Sequence, residues 1–192
     1  MTRQASDFGR EPVGGVVGHV VHLVASAGWS WAALAFAVGW VSRSWRRALW
    51  LAPASLLVAV VSYYLVKMGQ GEFRAFDLTL GNGPQGPMPI DWNGFLTHVV
   101  AWGAAALIFG PPLGWAGASA REPHLRGLAS RLVVPLIAVV DMSLRLPGSP
   151  ELDGAVATNT WTVVRILAVT ACALLAAWAV HTTVRAHRTA RT

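Results

Sequence analysis

The chain reads as long apolar runs separated by short polar or charged connections. Val13–Ser26 (VGGVVGHVVHLVAS) is apolar. As a helix it would span roughly 21 Å, short for a hydrocarbon core of about 30 Å. Ala27–Trp31 (AGWSW) follows, and Ala32–Val41 resumes the apolar pattern up to Arg43, Arg46 and Arg47. Two elements fit this region: one tilted helix over 13–42, roughly 45 Å long, or a hairpin of two short helices turning near Gly28. Gly-Trp-Ser-Trp resembles an interfacial turn, which favours the hairpin. Ala48–Val66 is a clean span, with Pro53 in its first turns and Tyr63 and Tyr64 near its far end. Lys67–Asn93 is a Gly- and Pro-rich connection, long enough to be read as functional or unstructured. Phe95–Ala118 is the next span. Its Gly110-Pro111-Pro112 predicts a break or kink, because each proline removes a backbone donor. After the basic stretch Ala120–Arg131 come the span Leu132–Leu146, the acidic loop Pro147–Asn159 and the span Thr160–Val180. The pattern predicts an all-α polytopic transmembrane helical bundle of about six spans, between five and seven.

Composition agrees with that pattern. Hydrophobic residues make up 54% of the 192 and charged residues only 12%, about half the roughly 25% of soluble domains. Mean hydropathy is +0.49. We expect a polar arm over 1–12, one transmembrane domain over 13–181 with an outer loop at 67–94, and a basic tail over 182–192. The apolar run after the arm lacks a small-residue cleavage site and is read as retained. The net charge of +6 finds its explanation in membrane topology rather than nucleic acid. With both termini in the cytoplasm, Arg3, Arg10, Arg43, Arg46, Arg47, Arg121, Arg126, Arg131, Arg185, Arg188 and Arg191 lie inside. Those are 11 of the 15 basic residues. Glu72, Asp77, Asp91, Glu151 and Asp153 then lie outside, opposed only by Lys67 and Arg74, as the positive-inside rule requires. A single long first helix would reverse only the N-terminus. The Arg-rich, Ala-, Gly- and Val-rich usage suggests a GC-rich bacterial genome, and hence a bacterial plasma membrane. Cys172 is the one cysteine, so intrachain disulfides and cysteine metal clusters are excluded.

Ionisable groups inside a span are costly and mark functional candidates. Asp141 is the one acid that hydropathy puts within a span. Arg145 lies at i+4 on the same face, and Arg165 enters the next span from the same side. Asp141 is therefore either half of a structural ion pair with one of them or an acid facing an outward-opening cavity. The outer acids Asp91, Asp77 and Glu72 are its alternatives, although Asp91-Trp92-Asn93 also reads as a helix N-cap with an interface anchor. His98 lies nearby. His19 and His22, spaced i,i+3, could bind a metal or ligate haem, but no further ligand accompanies them and hydrogen bonding between helices explains them better. Gly14 and Gly18 form a close-packing GxxxG. Nine of the ten Trp fall near span ends, as an aromatic belt would put them; Trp102 is deeper. With Phe95, Phe109, Phe36, Tyr63 and Tyr64 it could wall a cavity that stabilises a cation, or it could face lipid. P-loop, GxSxG, GxGxxG, HExxH and CxxC motifs are absent from the sequence.

The Gly-rich first run, Trp31, Phe36 and Gly39 followed by arginines, and Tyr63-Tyr64 resemble a family of small uncharacterised actinobacterial multi-pass proteins, over about the first third of the chain. The whole-chain pattern of Trp-rich spans with few intramembrane acids resembles small integral-membrane terpene cyclases of meroterpenoid and indole-sesquiterpenoid pathways. That resemblance implies acid-initiated cyclisation of a prenylated, lipophilic substrate without metal or other cofactor. The catalytic acid would be Asp141, Asp91, Asp77 or Glu72. Trp102, Tyr63, Tyr64, Phe95, Phe109, His98 and Arg165 would line the substrate site. A non-enzymatic accessory or transport-related membrane protein is the alternative, and a haem or quinone redox protein the third. In every reading the partner is the lipid bilayer, not nucleic acid.

Overall fold

The computed structural model describes residues 15–42, 44–74, 89–123, 125–147 and 154–189. Among them are six helices and no extended strand: α1 (Gly15–Ser26), α2 (Gly28–Val41), α3 (Trp45–Gly69), α4 (Trp92–Ser119), α5 (Leu125–Arg145) and α6 (Gly154–Thr189). The N-terminal arm, Gly14, Arg43, Asp77, Glu151, Asp153 and Arg191 lie outside the described residues.

The protein is an all-α membrane bundle. Four helices, α3 to α6, are each long and apolar enough to cross a bilayer. Their large apolar side chains face outward: Val58, Val100, Ile108, Leu167 and Leu174 are all more than 60% exposed. Surfaces of that kind are tolerated where lipid is the solvent. The pair α1–α2 reaches span length only when taken together, and it is bent by 72°. Residues 15–41 are thus two helices meeting beside Gly28, as the turn signal suggested. They do not reverse direction as a hairpin would, so among the described residues the spans number four, or five with the bent pair counted as one. Serine side chains favour the bend. The Ser26 hydroxyl donates to the Leu23 carbonyl at 2.8 Å and that of Ser30 to the Ala27 carbonyl at 2.6 Å. Such back-bonding competes with the helical ladder.

Helix ends elsewhere have local causes. The Ser44 hydroxyl caps α3 by accepting from the Arg47 N–H. Helix α5 begins at Leu125, inside the stretch expected to be a connection, and α4 continues through Pro111 and Pro112 without a break. The expected interruption does not occur because α4 is backed there by α3. The place of a Cβ on Gly110 is 2.6 Å from the Pro53 Cα, and on Gly114 2.6 Å from the Ala48 carbonyl oxygen and from the Ala52 Cβ. Prolines inside transmembrane helices are accommodated when neighbouring helices support them.

The chain divides into two compact units, residues 1–33 with 122–192, and residues 34–121. In the second, α3 and α4 pack antiparallel, with Leu57 beside Gly103, Pro53 beside Gly110 and Ala48 beside Gly114. The end of α2 joins them by backbone contact of Gly39 with Gly114 and of Phe36 with Gly117. In the first, α5 packs on α6, and α1 on α6. Its core is Leu23, Ala27, Met142, Ala157 and Trp161.

Candidate functional site

A break between two helices at membrane depth leaves backbone groups without their usual partners, and hydrocarbon supplies none. At the α1–α2 break most of them are accounted for. The Val24 carbonyl accepts from the Ala27 N–H at 3.2 Å, and the Ala25 carbonyl from the Trp31 indole N–H at 2.9 Å. The Ser26 carbonyl accepts from Arg145 Nη2 at 3.3 Å. On the other side of the break, the Trp29 N–H donates to Asp141 Oδ2 at 3.2 Å. Asp141 Oδ1 accepts from Arg145 Nε at 2.9 Å.

Asp141 and Arg145 therefore act as one clip. The carboxylate takes an N–H from the first turn of α2, the positive end of a helix dipole. The guanidinium takes a carbonyl from the last turn of α1, the negative end. The i,i+4 spacing on α5 brings the two side chains together. The Arg145 guanidinium also lies over the Trp161 ring, 5.3 Å from its centre, and Trp161 is only 1% exposed. Its place near a span end suits an interfacial belt, but Trp161 is a core residue. Trp31 and Trp29, assigned to the same belt, serve the break. Their rule of placement is local: both follow Gly28, where α2 starts.

Of the two arginines that could have paired with Asp141, the structure selects Arg145. Arg165 is exposed on α6. His19 and His22 sit on α1, the first half-buried and the second exposed. Among the described residues no three His, Cys, Asp or Glu side chains gather.

A second cluster forms in the other unit, where α3 meets α4. The Tyr64 ring lies 5.6 Å from that of His98 and 6.1 Å from that of Phe73; Phe73 in turn lies 5.5 Å from Phe95, and Tyr63 5.3 Å from Tyr64. His98 Nδ1 is 2.7 Å from the Gly94 carbonyl. A carbonyl only accepts, so Nδ1 is the donor of this contact. Four of the expected lining residues thus come together: Tyr63, Tyr64, Phe95 and His98. The sequence reading missed Phe73. It is brought in by the neck of the connection between α3 and α4, where Arg74 bridges Ile90 and the Asp91 N–H donates to the Phe73 carbonyl at 2.7 Å. Trp102 and Phe109 do not join, being 56% and 60% exposed. They turn outward on α4, the lipid-facing alternative for these two side chains.

Two candidate acids border this cluster, and both have structural partners. Glu72 pairs with Lys67 at 2.6 Å, and the Lys67 ammonium lies 5.4 Å from the centre of the Tyr63 ring. Asp91 is the N-cap of α4, with Oδ1 accepting from the Gly94 N–H at 2.9 Å. No protein-family model, curated protein or solved structure matches the chain.

Proposed function

We propose that this is a non-enzymatic, transport-related or accessory multi-pass membrane protein, in which the α1–α2 break is held by an internal ion pair. One observation carries the reading: the Asp141 carboxylate is engaged by Arg145 and by the Trp29 N–H. An acid that initiates cyclisation must turn its carboxyl toward the substrate, and here both carboxylate oxygens are already engaged within the chain, one by the Trp29 N–H and one by Arg145. In transporters with discontinuous helices, the exposed helix ends bind the substrate or coupling ion. Here a carboxylate and a guanidinium of the same chain take those positions. The basic residues Arg46, Arg47, Arg121, Arg126 and Arg131 support a cytoplasmic position for the α3 start, the α4 end and the α5 start, and with it a cytoplasmic C-terminus in a bacterial plasma membrane.

The test uses Asp141→Asn in native membranes. A structural clip requires that the variant lose yield and melting temperature, and that Asp141→Asn/Arg145→Gln regain part of the loss. Membranes are also incubated with linear prenylated substrates and searched for isobaric products. Cyclisation by the unaltered protein that disappears in a well-folded Asp141→Asn variant would overturn the proposal.

The terpene-cyclase reading keeps one specific support, the Tyr63–Tyr64–Phe73–Phe95–His98 cluster, whose ring faces suit a carbocation. On that reading Asp91, Glu72 or Asp77 supplies the proton. Products that persist in Asp141→Asn but vanish in Asp91→Asn or Glu72→Gln would favour it.

A further inference from the structure

Prolines in both helices of the α3–α4 pair open one groove. It holds about 490 Å³ and is walled by Leu49, Trp50, Pro53, Leu57, Leu107 and Pro111, a size within the roughly 300–1,000 Å³ of small-molecule sites. Pro53 has no N–H, so the Leu49 carbonyl loses its helical donor. Pro111 does the same to the carbonyl of Leu107. Both residues deprived of a partner line the same groove as the prolines that deprive them.

The two prolines are also level. Pro53 is eight residues after the start of α3 and Pro111 eight before the end of α4, each about 12 Å from that end of the pair. The helices run antiparallel, with Pro53 against Gly110. Helical carbonyls point toward the C-terminus. The Leu49 oxygen therefore points away from the Arg46–Arg47 end, the Leu107 oxygen points toward it, and both point to the proline level. The result is an apolar groove whose wall holds the two residues whose carbonyls the prolines deprive of a helical donor, and no charged residue. Acyl chains offer no donor, and an unsatisfied carbonyl in hydrocarbon is costly.

From this geometry we infer that the α3–α4 groove binds a neutral lipophilic alcohol, a free long-chain or isoprenoid alcohol dissolved in the bilayer, whose hydroxyl donates to the Leu49 or Leu107 carbonyl. A cation would also donate, but nothing in the groove wall would balance its charge. The site lies outside the clip and does not depend on the function proposed for it.

The test is photolabelling of the protein in nanodiscs with a diazirine-bearing hexadecanol, with the labelled peptides mapped by mass spectrometry. Unlabelled hexadecanol and hexadecyl methyl ether compete; they share a chain and differ in the donor. Labels are expected in 49–57 and 107–111, with the alcohol competing about fivefold better than the ether, the ratio one net hydrogen bond supplies. Pro53→Ala and Pro111→Ala return the missing N–H groups and should bring the ratio toward one. Pro112→Ala frees no acceptor in the groove and should keep the ratio. Equal competition in the unaltered protein would mean that acyl chains alone fill the groove and would overturn the inference. So would a ratio that survives both proline replacements, or labelling elsewhere.

Discussion

In the α3–α4 pair the closest approach brings the backbone of one helix against the backbone and small side chains of the other. Gly110 and Gly114 leave no room for a methyl group against Pro53, Ala48 and Ala52. In the unit built from α1, α5 and α6, the α1–α2 break is bridged instead by side chains: Asp141, Arg145 and the Trp31 indole. The difference follows from what each helix leaves unsatisfied. Continuous helices satisfy their own backbones, so dispersion through close approach suffices to hold them together, as small residues allow. Two half-helices meeting at 72° expose backbone donors and acceptors, and inside a membrane those that the backbone itself leaves unpaired fall to polar side chains. The first kind of contact resists added volume. The second resists loss of charge.

The sharpest way to break the comparison is to add volume where it should hurt most. Gly114→Leu must displace the Ala48 carbonyl and the Ala52 methyl, both 2.6 Å from the place of a Cβ. We expect a loss of at least about 3 kcal/mol, the upper part of the overpacking range, seen as aggregation or a collapsed melting temperature in detergent. A well-behaved variant would show that the α3–α4 interface can separate without cost. Next is Arg145→Gln, which leaves Asp141 without its cation and Ser26 without its donor. Breaking a fully buried pair costs about 3–5 kcal/mol. Here the Arg145 and Asp141 side chains are 36% and 20% exposed, and solvent screening reduces the expected loss to about 1–3 kcal/mol. A double-mutant cycle with Asp141→Asn measures the coupling. Additive losses would mean that the two side chains do not act as a unit.

Much of this was legible in the sequence, and the limits of legibility are physical. Span positions came from apolar run length, which depends on the bilayer rather than on tertiary contacts. The Asp141–Arg145 pair was legible because i,i+4 neighbours share a helix face whatever surrounds them. Its contacts across the α1–α2 break were not, because Trp29 and Ser26 are more than 110 residues away in the chain. Trp161 was assigned to the belt because a tryptophan near a span end has the same sequence context whether it faces lipid or the core. The prolines of α4 suggested a break because the local rule ignores the supporting helix. Phe73 lay in a connection with no periodic pattern, and only the Arg74–Ile90 bridge brings it to Tyr64 and Phe95.

A smaller effect is expected at Trp31. Trp31→Phe keeps the ring but removes the donor to the Ala25 carbonyl, and should cost about 1 kcal/mol. The loss should register as faster amide exchange in α1, with α3 and α4 unchanged. Equal protection in α1 would mean that the break does not need this cap.

The smallest effect is expected at Asp91, and it separates two roles. As the N-cap of α4 its carboxylate accepts the Gly94 N–H at 2.9 Å at an exposed position. Asp91→Ala removes that acceptor and should cost about 1 kcal/mol, while Asp91→Ser replaces one capping oxygen by another and should cost little. The readout is exchange of the first-turn amides of α4, where a lost cap frays the helix before it affects the bundle. Serine has no acidic proton. If Asp91 only caps, Asp91→Ser behaves as the unaltered protein in every assay. If Asp91 supplies a proton to a substrate held by Tyr64, Phe73, Phe95 and His98, Asp91→Ser keeps its protected amides and loses turnover. The Ala variant alone would leave the two roles merged, since it removes the cap and the acid together.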